Sequence, residues 1–177
     1  MSKTSLEHKK KAPRTLSFAV VTISTSKYAL LKNRANEVDD GSGDLIVKLL
    51  IKSNHKIALR EIVPDDPGMI AKLVTKSLGR DDVDAIITTG GTGVTKNDVT
   101  VETVRKLVNK ELPGFGEILR KISYDKIGSA AILTRAFAGV KASKAVFCLP
   151  GSPQAVEIAV SSLILPEAGH ILKHSRE

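Results

Sequence analysis

Four short apolar runs punctuate the chain: LSFAVVTI over 16–23, KIALREIV over 56–63, DAIITT over 84–89 and KAVFCLP over 144–150. Runs of this length, apolar and free of breakers until their ends, predict buried strands. In the second run Ile57, Leu59 and Ile62 are the inward positions. Between the runs the apolar spacing lengthens to that of helices. DLIVKLLIKSN, which follows Gly43, puts Leu45, Ile46, Leu49 and Leu50 on one face. GMIAKLVTKSL over 68–78 has the same spacing, and Gly79 suits its C-cap. A helix is predicted over about 100–109, with Thr100 as N-cap. PGFGEILRKISYDKIG reads as a loop entering another helix, and AAILTRAFAGV fits a helix or a strand. GSP opens a final helix, QAVEIAVSSLIL, which Pro166 breaks or kinks. The stretch STSKYALLKNRANEVDDGSG after the first strand is polar and ends in Gly-Ser-Gly.

Strands alternating with helices predict an α/β domain with a largely parallel sheet. In such sheets ligands bind beyond the carboxyl ends of the strands. Three loops fall there: PDD after the second strand, TGGTG after the third and LPGSP after the last. They are expected to converge on one edge.

Length and composition narrow the picture. A chain of 177 residues, 42% hydrophobic, suits one domain over 15–177 behind a basic, flexible tail over 1–14. The sequence holds no internal repeat or low-complexity segment. No stretch approaches the roughly 20 apolar residues of a membrane span, and the polar N-terminus lacks a secretory apolar run. A cytoplasmic protein without membrane contact is expected. The net charge is +8, and half of it lies in the tail, where Lys3, Lys9, Lys10, Lys11 and Arg14 face Glu7. Aromatic residues make up only 3%, with no tryptophan, so stacking platforms are scarce and nucleic acid is not expected as a partner. The single cysteine, Cys148, reads as a core thiol. His8, His55, His170 and His174 show no metal-ligand spacing around a core element.

The richest chemistry lies in TTGGTGVTKND over 88–98. Glycine allows positive φ and close backbone approach. A helix start offers free N–H groups and the positive end of its dipole, so the pair predicts an anion seat. Gly90, Gly91, Thr92 and Gly93 lack the dinucleotide G-x-G-x-x-G spacing, and no Gly-Lys-Ser/Thr makes a P-loop. A tight strand-to-helix turn explains the glycines equally well. Asp98 is either a helix cap or a ligand, and Asp65 and Asp66 are either turn residues or a second acidic point. Carboxylates from two loops beside a phosphate cradle can hold Mg²⁺, which shares hard oxygen ligands with substrate phosphates. Pro150, Gly151 and Ser152 repeat the strand–Gly–helix logic, with Ser152 as N-cap and Pro153 at the first helical position. No Ser-His-Asp or Cys-His arrangement is suggested.

TTGGTG followed by Asp and Thr, then ELPGFGEILR, LTRAFAGV and LPGSPQAV, in that order, resembles the MoaB/Mog family of molybdenum-cofactor biosynthesis. The resemblance runs from about residue 16 to about 166 and is closer to the MoaB branch. It implies a three-layer α/β/α sandwich that assembles as a homotrimer or hexamer. It implies ATP and molybdopterin as substrates, Mg²⁺ as cofactor, and transfer of AMP to the terminal phosphate of molybdopterin with release of pyrophosphate. By resemblance, Asp65 and Asp98 are catalytic and bind the metal. Gly90, Gly91, Thr92, Gly93, Ser24, Asp40 and Ser42 bind nucleotide phosphates. Thr134, Arg135, Pro150, Gly151 and Ser152 line the pterin end. The product would pass to a metal-insertion enzyme. A non-catalytic pterin carrier is the alternative, and nucleotide hydrolysis as in CinA-like relatives is a third reading. Four positions depart from the family pattern: Thr25 where Asp is frequent, Asn97 for Arg, Val101 for Pro, and Thr134 for Ser. Lys96 could supply the loop's positive charge as a point charge only.

Overall fold

The computed structural model describes residues 12–33 and 38–177. Residues 1–11 of the expected basic tail lie outside the described residues. The elements run β1 (Ser17–Ile23), α1 (Thr25–Lys32), α2 (Gly41–Lys52), β2 (Lys56–Val63), α3 (Pro67–Leu78), β3 (Ala85–Thr89), α4 (Thr100–Arg105), β4 (Lys110–Glu111) and α5 (Pro113–Ile127). A 3₁₀ turn (Gly128–Leu133), β5 (Phe137–Lys141), β6 (Lys144–Leu149), α6 (Pro153–Ile158), a π-helical segment (Ala159–Ile164) and α7 (Leu165–Ser175) complete the chain.

The sheet has six strands in the order β2-β1-β3-β6-β5-β4. β2, β1, β3 and β6 are parallel. β5 and β4 extend the sheet antiparallel. Strands buried on both faces send alternate side chains into two separate cores. Phe18, Val20, Ile87, Phe147 and Leu149 pack with Ile46, Leu50, Leu119 and the apolar stripe of the last helix. Ala19, Val21, Ile23, Ile86, Val146 and Cys148 pack with Ile70, Leu73 and Val74 of α3 and Val101 and Val104 of α4. The result is the expected α/β/α sandwich.

Cys148 is fully buried, and desolvation pushes its thiol up to about 12. The native protein is therefore expected to leave a disulfide-exchange reagent unreacted at neutral pH, with one thiol released on addition of denaturant.

Several elements differ from expectation, each for a physical reason. A helix, α1, occupies the polar stretch after β1, started by Ser24, whose Oγ accepts from the Lys27 amide. It buries no residue, so no apolar period announced it. Ile57 and Leu59 do not share a face. A register shift opposite Phe18/Ala19 sends Ile57 to one core and Leu59 to the other. α4 ends at Arg105, four residues early, and Thr100 is its first residue, with Val99 as N-cap. AAILTRAFAGV holds both alternatives in sequence, a 3₁₀ turn and then β5.

Pro166 does not end the last helix. The helix is continuous over Pro153–Ser175, 23 residues long and apolar enough by length and composition to cross a membrane. This corrects the expectation that no such stretch exists. The π-helical turn just before Pro166 loosens the hydrogen-bond ladder where proline lacks its N–H. Val156, Val160, Ile164, Ala168 and Leu172 lie buried against the sheet, which accounts for the apolar composition.

Candidate active site

The four parallel strands end almost level: Ile23 pairs with Val63, Thr22 with Thr89, and Thr89 with Leu149. The loops that follow must therefore meet, and they do. The Gly90 amide donates to the Leu149 carbonyl at 3.1 Å, and Thr89 Oγ1 donates to the Pro150 carbonyl at 3.0 Å. Ser42 Oγ donates to the Gly151 carbonyl at 2.7 Å, joining the start of α2 to the last loop. The Ser24 amide donates to the Val63 carbonyl at 2.9 Å.

The glycine loop is built on φ of +97° at Gly90 and +60° at Gly91. A Cβ on Gly90 would lie 2.3 Å from the Ile23 carbonyl oxygen, and one on Gly91 would lie 2.4 Å from Thr100 Oγ1. The loop thus runs flat against the end of β1. It does not pass straight into a helix. Turns over 91–99 separate Gly90 from α4, and Thr100 ties that helix back to the glycines. The Thr100 amide donates to the Gly91 carbonyl and its hydroxyl to the Gly90 carbonyl, both at 2.9 Å. The expected anion seat at the helix start is corrected accordingly, since α4 has six residues and its first amide is engaged. The donors that face outward are in the loop itself. The amides of Gly91 and Thr92 have no hydrogen-bond partner among the described residues.

Two carboxylates flank this loop. Asp65 Oδ1 lies 2.9 Å from the Cβ position of Gly91, and Asp98 Oδ2 lies 2.8 Å from that of Gly93. Asp65 is held by α1: its Oδ2 accepts from the Thr25 amide at 2.9 Å and the Thr25 hydroxyl at 2.8 Å. A threonine at position 25 donates to Asp65, where a carboxylate would repel it. Asp66 is different, for its Oδ1 caps α3 by accepting from the Met69 amide at 2.7 Å. The adjacent aspartates therefore divide the two roles that the sequence left open.

Asp98 does not cap α4. Its Oδ2 accepts from Thr95 Oγ1 at 2.6 Å and the Thr95 amide at 2.9 Å, closing a local turn. The Thr95 hydroxyl, its amide, the Gly93 amide and the Arg135 charge hold this carboxyl below its ordinary range against partial burial. Its contribution to loop stability is present above the ordinary carboxylate pKa and is lost as pH falls through the lower native value. Arg135 reaches the loop from the far side, with Nη1 donating to the Gly93 carbonyl at 2.8 Å and Nη2 paired with Glu102. A guanidinium thus stands beside the loop although position 97 is asparagine.

Two clefts open on either side of Pro150–Gly151. The larger, about 380 Å³, is lined by Ser24, Lys27, Asp40, Ser42, Gly90 and Gly151 among others. That volume is within the usual range of small-molecule sites. The smaller, about 160 Å³, is lined by Thr134, Pro150 and Ser152 with residues of α5 and α6. The sequence-selected residues therefore separate into groups. Ser24, Asp40, Ser42, Gly90 and Gly151 border one cleft, Thr134, Pro150 and Ser152 the other, and Asp65, Asp98 and Arg135 grip the glycine loop. Thr25 enters the sequence reading only as a departure from the family pattern, and Lys27 escaped it because nothing in the polar stretch after β1 marks it.

Two of these residues also carry structure. Ser152 Oγ accepts from the Ala155 amide at 3.2 Å as the N-cap of α6. Asp40 is 1% exposed. It accepts from Thr22 Oγ1 at 2.7 Å, from the Gly43 amide at 3.4 Å and from Arg60 at 3.3 Å. Asp40→Ala leaves the Thr22 hydroxyl and the Gly43 amide short of an acceptor, while Arg60 keeps Asp44, and is expected to cost about 2–4 kcal/mol in urea unfolding at constant m-value.

A family model described as a probable molybdopterin binding domain matches residues 19–170. The chain belongs to this family. Among its molybdopterin-binding-domain relatives is the molybdenum cofactor biosynthesis protein B of Bacillus cereus, 46% identical over 166 residues, covering 93% of this chain and 94% of the relative. A probable molybdopterin adenylyltransferase of Methanocaldococcus jannaschii is 44% identical over 165 residues, covering 93% and 96%. The crystal structure of the tungsten cofactor synthesizing protein MoaB from Pyrococcus furiosus superposes with a TM-score of 0.80 at 39% identity, covering 94% of this chain and all of that one. The β/loop edge described above is thus the edge of a molybdopterin-binding-domain fold.

Proposed function

We propose that this chain transfers AMP from ATP to the terminal phosphate of molybdopterin in molybdenum- or tungsten-cofactor biosynthesis. An oxygen of the pterin phosphate attacks the α-phosphorus of ATP. The bond from that phosphorus to the β-phosphate oxygen breaks, and pyrophosphate leaves. Such a reaction needs no protein nucleophile, and positioning with charge neutralisation carries it.

The observation that carries this reading is the pair of carboxylates flanking one glycine loop, whose first residue, Gly90, lines the larger cleft. Two phosphate-bearing substrates need two adjoining seats, and the relatives named molybdopterin adenylyltransferase point to the same reaction. The free amides of Gly91 and Thr92 cradle the nucleotide phosphates, with Gly90 and Gly93 shaping the turn. Ser24, Ser42 and Lys27 line the cleft beside them, and Asp40 holds that wall in place. Thr134, Pro150 and Ser152 border the pterin end, and Gly151 faces the nucleotide cleft. Arg135 steadies the loop and adds positive charge.

Asp65 and Asp98 would hold Mg²⁺. Among the described residues no group of three or more His, Cys, Asp or Glu is gathered for a metal. Two carboxylates completed by phosphates and water are what Mg²⁺ ordinarily takes, so the donor set fits. When bound, the ion neutralises phosphate charge.

We further read the protein as a cytoplasmic homotrimer or hexamer that hands its product to a metal-insertion enzyme. The exposed Ile118, Ile127, Ile132 and Leu133 support assembly through α5 and the following turn. The reaction is tested by incubating the protein with molybdopterin, ATP and Mg²⁺ and following the pterin by mass spectrometry. An adenylylated pterin with stoichiometric pyrophosphate is expected. Bound but unmodified pterin would replace the transferase by a carrier.

A further inference from the structure

α1 buries no residue, so apolar burial does not account for its place in the fold. Three polar ties hold it instead, all from its N-cap and first turn. The Ser24 amide donates to the Val63 carbonyl at 2.9 Å, Thr25 bonds Asp65, and Lys27 Nζ donates to the Asp39 carbonyl. The tie to Asp65 is the closest-knit of the three. The Thr25 amide and hydroxyl both donate to Asp65 Oδ2, at 2.9 Å and 2.8 Å, and the same hydroxyl accepts from the Asp65 amide at 3.1 Å. One hydroxyl thus fixes the side chain and the backbone of Asp65 together. Oδ2 also sits at the first amide of α1, where the helix dipole favours negative charge. Oδ1 accepts no hydrogen bond among the described residues and faces the glycine loop, 2.9 Å from the Cβ position of Gly91. The two oxygens are therefore divided, one engaged by α1 and one turned toward the loop.

We propose that Thr25 is a positioning residue for AMP transfer, fixing which oxygen of Asp65 is presented to the nucleotide phosphates and their metal. The proposal rests on the role given to Asp65 above. Thr25 acts through Asp65 and not on the substrate. Position 25 is one where the family pattern frequently has Asp, so the tie belongs to this chain and not to the shared motif. The torsion that turns a carboxylate is soft, and an unheld one samples many orientations. Two fixed donors on one oxygen remove that freedom before substrate arrives, as outer-shell partners do for metal-binding carboxylates. Thr25 is exposed, so water satisfies Oδ2 when the hydroxyl is removed. The loss then falls on the orientation of Asp65 and not on the stability of the fold.

The test compares Thr25→Val, which keeps the shape and removes the hydroxyl, with Thr25→Ser, which keeps the hydroxyl. α,β-Methylene-ATP, whose bridging bond the transfer cannot break, is titrated into each full-length protein by calorimetry, once with EDTA and once with Mn²⁺. Mn²⁺ is expected to tighten binding to the natural protein and to Thr25→Ser, and to tighten it about tenfold less in Thr25→Val. Binding in EDTA is expected to be equal in all three, and so is the unfolding temperature. In AMP transfer, Thr25→Val is expected to raise the half-saturating Mg²⁺ concentration about tenfold with KM for the pterin unchanged. Equal Mn²⁺ tightening in Thr25→Val would overturn the proposal and leave the role of Asp65 standing. Mn²⁺ tightening that is absent from the natural protein, or that survives Asp65→Asn, would overturn the Asp65 reading and the proposal with it. A lower unfolding temperature in Thr25→Val with weaker binding in EDTA as well would make the tie structural, and would overturn the proposal too.

Discussion

Asp65→Asn is expected to lower AMP transfer by about two to three orders of magnitude while the protein remains folded. The substitution keeps the size of the side chain and an acceptor for the Thr25 hydroxyl and amide, so the α1–loop junction persists. What disappears is the negative charge facing Gly91. In a phosphoryl-type transfer, charge and position supply most of the rate, and an amide cannot replace a carboxylate as a hard ligand. Asp98→Asn is expected to act in the same direction, with some loosening of the Thr95–Asp98 turn. The measurement is kcat with saturating ATP and pterin, beside thermal unfolding of each variant. Full activity in both would remove the carboxylates from the mechanism. A parallel collapse of unfolding temperature would recast them as structural.

The second large effect is on stability. Gly90→Ala is expected to destabilise the fold by about 3–5 kcal/mol, combining left-handed backbone strain with forced overlap. The new Cβ would lie 2.3 Å from the Ile23 carbonyl oxygen, which is backbone at the end of β1 and cannot swing aside. The Gly90 amide also holds the Leu149 carbonyl, so displacement of the loop would open the β3–β6 junction. For a chain of this size such a loss lowers Tm by on the order of 10 °C, readable by calorimetry. Gly114→Ala makes a control, because nothing lies within 4 Å of its Cβ position. Equal unfolding temperatures for Gly90→Ala and wild type would mean that the loop relaxes freely.

Both expectations were partly legible in the chain itself. Short apolar runs specified the four parallel strands to within a residue or two, because the three inner ones, buried on both faces, must be apolar throughout. The strand–helix alternation then determined where the loops fall, and the ordered motifs identified the family. α1 was not legible, since it buries nothing and leaves no period. Neither was the continuity of the last helix, because a π turn before Pro166 relieves a clash that sequence alone reads as a break or a kink.

Within the site, residue types were readable but their assignments were not. Asp65 and Asp66 are neighbours in sequence, yet one faces Gly91 and the other caps a helix. Arg135, placed by resemblance at the pterin end, reaches the glycine loop across 42 residues of chain. Local sequence determined the periodicities, breakers and chemical groups, which act over a few residues. Only the packed structure decided which oxygen or nitrogen faces which partner, because that depends on contacts between segments far apart in the chain.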